Sequence, residues 1–425
     1  MSLHQQTYSL DHDAFVAQLA ETANLLIVQD LDGVCMKLVK DPLNRNISTG
    51  YVKAVPAFEG NFFVLTNGEH IGPRGINSII ERAFETKATD SAETVAQQGL
   101  YLPGLAAGGV QWQNRYGKLS HPGVSDSELA FLAQVPDRVE HRLRQFFAEQ
   151  PSTVSEEILE TCIRASVLDN VASPTVNLNT FYETLNDPEL YIQLQQAVQA
   201  LMDELMMTAK RQGLGDSFFV HYAPNLGRNE NGQEVVWWAG ETTSGTTDFQ
   251  FMLRGAIKEA GVLALLNHYY CQRIGSYPLG EDFNARQAPK TIEEMLALVE
   301  QKLDPALMPT LVGVGDTVTS QAIETADGVV FKRGGSDRNF LQLIQAIGQS
   351  FDNESFTVYV DSSGGELKNR RPLILTTENG RPKVSEGPGD PQDTEDSLTL
   401  NVAFPAGHVQ YCQAFQAAAK LRIAG

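Results

Sequence analysis

Three apolar runs in this chain stop at the same kind of place. Leu25-Leu26-Ile27-Val28 runs into Gln29-Asp30-Leu31-Asp32-Gly33, and Phe62-Phe63-Val64-Leu65 into Thr66-Asn67-Gly68. Thr310-Leu311-Val312-Gly313-Val314 runs into Gly315-Asp316-Thr317. A strand that is apolar at every position belongs in a sheet covered on both faces, which predicts an α/β fold built on a doubly wound, Rossmann-like parallel sheet. In open sheets of this kind, ligands sit beyond the carboxyl ends of the strands. Acids and hydroxyls at three such ends are therefore expected to share one cleft.

The spacing of the runs sets the domain plan. About 250 residues separate Thr66 from Asp316, far more than one crossover connection uses. Part of that stretch is expected to be an inserted α+β domain at 123–242, leaving a discontinuous core of 1–122 and 243–425. Inside the insertion, helical patterns fall at 127–147 and 187–210, and strand-like pieces at 165–179, 217–222 and 234–238. The glycine-rich stretches 102–109 and 240–247 are the candidate hinges. Residues 11–22 and 408–423 read as amphipathic helices, 357–360 and 398–403 as further strands, and 378–397, rich in acids, Pro and Gly, as a solvated loop.

With 425 residues, 42% of them apolar and 20% charged, the chain can bury a core of this size. Its 52 acids against 32 bases give a net charge of −20, which repels phosphate backbones and anionic lipid; neither nucleic acid nor membrane is an expected partner. No apolar run approaches the roughly 20 residues that span a bilayer. The four cysteines form no CxxC pair, so neither a zinc site nor a disulfide framework is indicated. A cytoplasmic protein is expected.

Asp30-x-Asp32-Gly33 is the most informative string. Two carboxylates two positions apart, followed by a residue that turns sharply, bring both acids into one cleft. One can serve as a nucleophile and the other as general acid and then base. Asp316 would lie beside them if its strand neighbours the first, and carboxylate oxygens with water are what Mg²⁺ prefers. Thr66 and Asn67 supply donors for phosphoryl oxygens. Glu69 and His70 would project toward the cleft mouth. Thr175, Asn177 and Asn179 alternate, so as a strand they would line one face and suit hydroxyl recognition, with His221 as a further sugar contact.

DLDGV at 30–34, LTNG at 65–68 and GVGD at 313–316 resemble motifs I, II and IV of the haloacid dehalogenase superfamily. The insertion after the second resembles the C2-type cap of trehalose- and sucrose-phosphate phosphatases. The blocks QDLDGVCM, VLTNGEH, LYLPGLAAGGVQWQ, SVLDNVASPTVNLN, FFVHYAPNLGR and GVGDTVTSQ resemble, from end to end, the cyanobacterial glucosylglycerol-3-phosphate phosphatases. The resemblance implies Asp30 as nucleophile, Asp32 as acid/base and Thr66 as phosphate binder. It implies Asp316 as a Mg²⁺ ligand, together with Asp30 and the backbone carbonyl of Asp32.

The motif III lysine is Lys258, opening KEAGVLALL, or else Lys290, opening KTIEEMLALV; the former match is the closer. A second motif IV acid is commonly four positions after the first, where this chain has Ser320 beside Thr319. The site is therefore expected to be one carboxylate poorer, with Thr319 or Ser320 reaching the metal through water. The implied activity is hydrolysis of a glycosylated glycerol phosphate in compatible-solute synthesis, with the glucosylglycerol-phosphate synthase as a partner. The alternatives are a sucrose- or trehalose-phosphate phosphatase, or a catalytically silent sugar-phosphate-binding protein.

Overall fold

A computed structural model describes residues 8–85, 91–150, 154–228, 234–240, 243–325, 328–367 and 370–424. The chain divides into two compact units. The first comprises Met1–His70, Ile76–Gly123 and Gly255–Gly425; the second comprises Ile71–Gly75 and Val124–Arg254.

The first unit is built on an eight-stranded sheet. Its order is Val402–Phe404, Ser355–Val360, Thr310–Gly315, Leu25–Gln29, Phe62–Leu65, Gly104–Ala106, Gln111–Gln113 and Leu119–Ser120. Neighbouring strands are parallel as far as Gly104–Ala106, and the last two pairings are antiparallel. The apolar strands bury every residue and divide them between two cores by alternation. Leu25, Ile27, Val312 and Val314 pack with Phe15, Tyr51 and Phe415 on one face. Leu26, Val28 and Leu311 pack with Leu263, Leu266, Leu341 and Ile344 on the other. Each fully buried aliphatic side chain contributes about 1.5–3 kcal/mol. Gln29 is the polar exception at the end of its strand: Tyr51 and Tyr411 hydroxyls donate to its Oε1, and its amide donates back to Tyr51.

The three diagnostic strands are adjacent. Leu25–Gln29 lies between Thr310–Gly315 and Phe62–Leu65, with Gln29 opposite Val314 on one side and Val64 on the other. The residues that follow them, Asp30, Asp316 and Thr66, thus emerge side by side.

The second unit has its own four-stranded sheet, Val167–Leu168, Thr175–Asn177, Asp248–Leu253 and Phe218–Ala223, all antiparallel. Helices Val135–Glu149, Glu156–Ser166 and Pro188–Arg211 belong to it. Its core stacks Phe131 on Phe218 at 5.2 Å and Phe147 on Phe181 at 5.1 Å.

Four details differ from the sequence reading. The second unit runs past 242 to Arg254, because Asp248–Leu253 pairs with both Thr175–Asn177 and Phe218–Ala223. Neither glycine-rich stretch marks a unit boundary. Gly104–Ala106 is a strand of the large sheet, and 240–247, of which 241–242 lie outside the described residues, belongs to the second unit. The alternating piece 165–179 is two short strands with a turn between, and Asn179 begins the helix Asn179–Thr184.

The fourth difference is the acidic stretch 378–397, which is not a free loop. Its start closes a hairpin, Ile374–Glu378 with Arg381–Glu386. Its later acids are tied down: Asp393 to Arg333 at 2.6 Å, Asp396 to Arg338 at 2.6 Å, and the Asp390 N–H to Ser320 Oγ at 2.7 Å. Among the described residues no helix is long and apolar enough to cross a membrane.

Candidate active site

Asp30 follows the central strand, is almost fully buried, and is held on two sides. Lys258 Nζ stands 2.8 Å from its Oδ2, and the Leu31 N–H donates to its Oδ1 at 2.8 Å. Lys258 opens the helix Lys258–Ile274 and is itself buried. Its ammonium also donates to Asp337 Oδ1 at 2.7 Å. Lys290 by contrast is exposed, just ahead of the Thr291 cap of another helix. Of the two candidate lysines, Lys258 is the one brought to Asp30.

Asp316 and Asp337 complete the cluster. Asp337 Oδ2 accepts from the N–H groups of Asp316 and Thr317, both at 2.9 Å. One carboxylate oxygen each from Asp30, Asp316 and Asp337 fall within 4.8 Å of one another. Two glycines make the approach possible. A Cβ on Gly33, which sits at φ +77°, would lie 2.2 Å from Asp316 Oδ2, and one on Gly315 would lie 2.7 Å from the Asp337 Cβ. Only glycine fits the first position, on grounds of both space and φ.

The electrostatics are those of an incomplete charge balance. Burial pushes Asp30 up to about 8, with Lys258 opposing and the charges of Asp337 and Asp316 adding to the rise. Burial likewise pushes Asp316 up to about 7, Asp337 reinforcing it and Arg370 opposing. For Lys258, burial works to lower the ammonium, but the carboxylates of Asp30 and Asp337 outweigh it and the net shift is upward. Asp337 is held below the usual carboxylate range: burial opposes ionisation, yet Lys258 and the two backbone N–H donors prevail.

Asp316 Oδ1 accepts from the Thr317 hydroxyl, whereas its buried Oδ2 has no hydrogen bond; Arg370 Nε is 3.7 Å away. A buried oxygen left unsatisfied costs about 1–3 kcal/mol, more if charged. Three carboxylates with one such oxygen fit a hard divalent cation, which takes oxygen ligands and offsets the excess charge.

Asp337 was not legible as a site residue, and its presence corrects the expectation of a carboxylate-poor site. The chain does not carry its second acid at Ser320. Thr319–Thr325 and Gly328–Gly334 form an antiparallel hairpin in which Thr319 faces Gly334. The hairpin therefore returns the chain beside Asp316 before Asp337 is reached. Ser320 bonds the Asp390 N–H instead of facing the cluster. The signal available was Gly334-Gly335-Ser336-Asp337 ahead of an apolar-periodic helix, a turn and acid repeating the pattern of the other strand ends.

The remaining expected residues divide. Asp32 is half-buried, with Arg45 Nε 2.8 Å from its Oδ1. Thr66 is buried at its strand end, its Oγ1 accepting from the Gly68 N–H at 3.1 Å, so the hydroxyl hydrogen remains to donate outward. Asn67 beside it is half-buried. Glu69 and His70 do not project to a cleft mouth. Both are buried; Gln111 Nε2 donates to Glu69 at 3.2 Å and the Gln111 side-chain carbonyl accepts the His70 N–H at 2.7 Å. The His70 ring lies 3.1 Å from the Gly104 carbonyl, and burial lowers it to about 4.

In the second unit the Thr175 hydroxyl is buried against the Ser173 carbonyl at 2.8 Å, and Asn177 donates to Asp248 at 2.7 Å. Asn179 is not on their strand; its N–H donates to Asn177 Oδ1 at 3.0 Å. His221 Nδ1 meets Glu234 at 2.9 Å, with one-third of its side chain exposed.

A lysine-clamped carboxylate at the end of a central parallel strand, next to acids able to hold a divalent cation, is suited to in-line phosphoryl transfer to the carboxylate. Fold and site together define an α/β protein with a carboxylate and lysine cluster at its strand ends, an arrangement that resembles the phosphoryl-transferring site expected from the sequence. A family model described as glucosylglycerol-phosphate phosphatase matches residues 24–419, and the chain belongs to that family. It is a phosphoric monoester hydrolase.

A glucosylglycerol-phosphate phosphatase of Synechocystis sp. is 59% identical over 423 residues, covering 99% of both chains. Among solved structures, the chain is similar to the C-terminal domain of a trehalose-6-phosphate phosphatase from C. albicans. That match has a TM-score of 0.44 at 12% identity and covers 98% of this chain and 99% of that one. A trehalose-6-phosphate phosphatase related protein gives 0.40 at 9% identity, over 94% and 99% of the two chains.

Proposed function

We propose that this enzyme hydrolyses glucosylglycerol 3-phosphate to glucosylglycerol and phosphate, with Mg²⁺ as cofactor and an aspartyl-phosphate intermediate on Asp30. The observation that carries the reading is the buried cluster of Asp30, Lys258, Asp316 and Asp337 in a chain of that family. Asp30, Asp316 and the backbone carbonyl of Asp32 would hold the cation, with Asp337 fixing Lys258 and the Asp316 backbone behind them. When bound, the cation neutralises carboxylate and phosphate charge that would otherwise repel, and beside it Asp30 ionises despite its burial.

Asp30 attacks phosphorus in line while the bond to the glyceryl oxygen breaks. Asp32 gives its proton to that departing oxygen. Asp32 then takes a proton from water, the water oxygen attacks phosphorus, and the bond from Asp30 to phosphorus breaks to release phosphate. Lys258, Thr66 and Asn67 donate to the equatorial oxygens as charge redistributes.

The second unit serves as the specificity cap. Of its expected contacts, His221 suits sugar recognition best, because Glu234 engages one ring nitrogen and the exposed part of the ring remains to meet a hydroxyl. Thr175, Asn177 and Asn179 shape the strand and turn one strand removed from it, across Asp248–Leu253. The same reading places the enzyme in the cytoplasm, in compatible-solute synthesis, downstream of the glucosylglycerol-phosphate synthase.

The test is phosphate release across a panel of glucosylglycerol 3-phosphate, sucrose 6-phosphate and trehalose 6-phosphate, with Mg²⁺ and with chelator. Preference for the first, lost on chelation, is expected. Preference for another member would overturn the substrate assignment, and undiminished turnover in chelator would overturn the metal.

A further inference from the structure

The two carboxylates of the Asp30-x-Asp32 pair are restrained by different cations, and only one of these belongs to the cluster described above. Asp30 is gripped by Lys258, which is 3% exposed. Asp32 is gripped by Arg45, with side-chain exposures of 21% for the arginine and 25% for the aspartate. Arg45 Nε stands 2.8 Å from Oδ1, the short distance of a charge-assisted hydrogen bond, and among the described residues Oδ2 of Asp32 accepts no hydrogen bond.

We infer that Arg45 is a positioning residue for the reaction: it fixes the Asp32 carboxylate through Oδ1 so that Oδ2 faces the oxygen it must protonate and the water it must deprotonate. The inference rests on the role given to Asp32 above.

Three observations support more than an incidental surface pair. First, stability does not explain it, because a partly exposed ion pair contributes only about 0–1 kcal/mol. Second, the carboxylate needs such a restraint. The terminal torsion of an aspartate is broad, so a half-open Asp32 would spread over many orientations, and misorientation of an acid/base by about an ångström costs heavily in rate.

Third, the loop that delivers Arg45 is braced along its length. Asp41 caps the turn Pro42–Asn44 by accepting the Leu43 N–H at 2.9 Å, and the Arg45 N–H returns to the Pro42 carbonyl at 3.3 Å. The Arg45 carbonyl takes a bond from Arg82 at 3.4 Å. Ile47 is then buried in the core, and Ser48 caps the helix Thr49–Ala54. The difference in exposure also fits the division of labour. A nucleophile is best kept from bulk water, whereas an acid/base must exchange its proton with it.

The test is a double-mutant cycle of Arg45→Met and Asp32→Asn, read as kcat and KM on the panel member that the wild type hydrolyses. In the wild-type background Arg45→Met is expected to lower kcat roughly 10- to 100-fold, a share of the about 10²–10⁴ that general acid–base catalysis supplies, with KM within about twofold. In the Asp32→Asn background the same change is expected to cost less than about twofold, since its effect runs through the missing carboxyl. Arg45→Gln, with less loss of polarity, is expected to repeat the pattern, and the thermal midpoint of each variant reports folding independently.

Equal losses in both backgrounds would overturn the inference, as would a raised KM with kcat intact, which would make Arg45 a substrate-binding residue. Failure of the functional reading is distinguishable, because it shows in the wild type before any variant is made.

Discussion

Polar residues are buried in both units of this protein, but they are satisfied in opposite ways. In the second unit Asn177 bonds Asp248, Thr175 bonds a carbonyl, and His221 bonds Glu234. Asn177 and Thr175 find their partners within the same small sheet and its adjoining turns, and His221 finds its partner on a neighbouring two-stranded sheet. At the strand ends of the first unit, carboxylates separated by hundreds of positions crowd together, and one buried oxygen of Asp316 is left without a hydrogen bond. A folded chain tolerates that arrangement only where something else completes it. What sets the strand ends apart is convergence: three carboxylates gather around one lysine, with a buried carboxylate oxygen to spare.

The largest test of this contrast is Lys258. Its removal leaves Asp30 and Asp337 buried against each other with no cation between them, so Lys258→Met is expected to lower stability by about 3–5 kcal/mol in denaturant unfolding and to abolish phosphate release. Lys290→Met, at an exposed helix start, is expected to change stability by less than about 0.5 kcal/mol and activity not at all. Similar effects from the two lysines would show that burial beside Asp30 and Asp337 does not set Lys258 apart.

Asp337 comes next. Asp337→Asn keeps the shape and weakens the hold on Lys258, with an expected fall in kcat of about 10²-fold, the scale of losing one oriented charge at a reacting centre. Ser320→Ala, which disturbs the contacts to Asp390 and Asp393 rather than the carboxylate cluster, is expected to leave kcat unchanged in the same assay. The opposite result would restore Ser320 as the functional position.

His70 gives a pH test of buried scaffold within the first unit. Its folded pKa, about 4, lies below the ordinary 6.5, so between these values the unfolded chain binds the extra proton. Stability from this group is complete above pH 6.5 and is lost as pH falls toward 4, by roughly 3 kcal/mol at most. His70→Gln is expected to flatten that part of the curve of thermal midpoint against pH; an unchanged slope would show that His70 is not buried in its neutral form.

The smallest effects are expected in the second unit. His221→Ala is expected to raise KM about tenfold with kcat nearly intact, the scale of a lost hydrogen bond to a polar ligand. Asn177→Ala is expected to cost about 1 kcal/mol of stability with no change in KM. A reversed assignment, with Asn177 setting KM, would show that satisfied residues can still carry recognition.

How much of this was legible in the sequence follows from how local each signal was. The three parallel strands could be read because their burial on both faces makes them apolar throughout, and because Asp30, Asp316 and Thr66 stand immediately at their ends. Lys258 could be read because it opens a helix with an apolar face.

Asp337 could not. Its distance from Asp316 is spanned by the hairpin Thr319–Gly334, and spacing rules assume no such excursion. Arg45 carries no local pattern at all; a single arginine in a loop is defined only by what it touches. The acidic stretch 378–397 misled for a related reason. Its composition is that of a solvated loop, but its aspartates meet Arg333 and Arg338 from the hairpin and the helix after it, pairings that composition does not encode. His70 misled in the opposite direction, since position after a motif predicts proximity but not the direction a ring turns.

The proposed reaction requires Asp30 to take the phosphoryl group. The most direct measurement is phosphate release from glucosylglycerol 3-phosphate in the presence of Mg²⁺ by purified wild type and by Asp30→Asn, together with mass analysis of acid-quenched protein for a phosphorylated aspartate. The wild type should release phosphate and carry a transient phosphate on the peptide containing Asp30. The variant should lose at least about 10³-fold in turnover and carry none. Undiminished turnover by Asp30→Asn, or a phosphate trapped on another residue, would show that Asp30 is not the nucleophile.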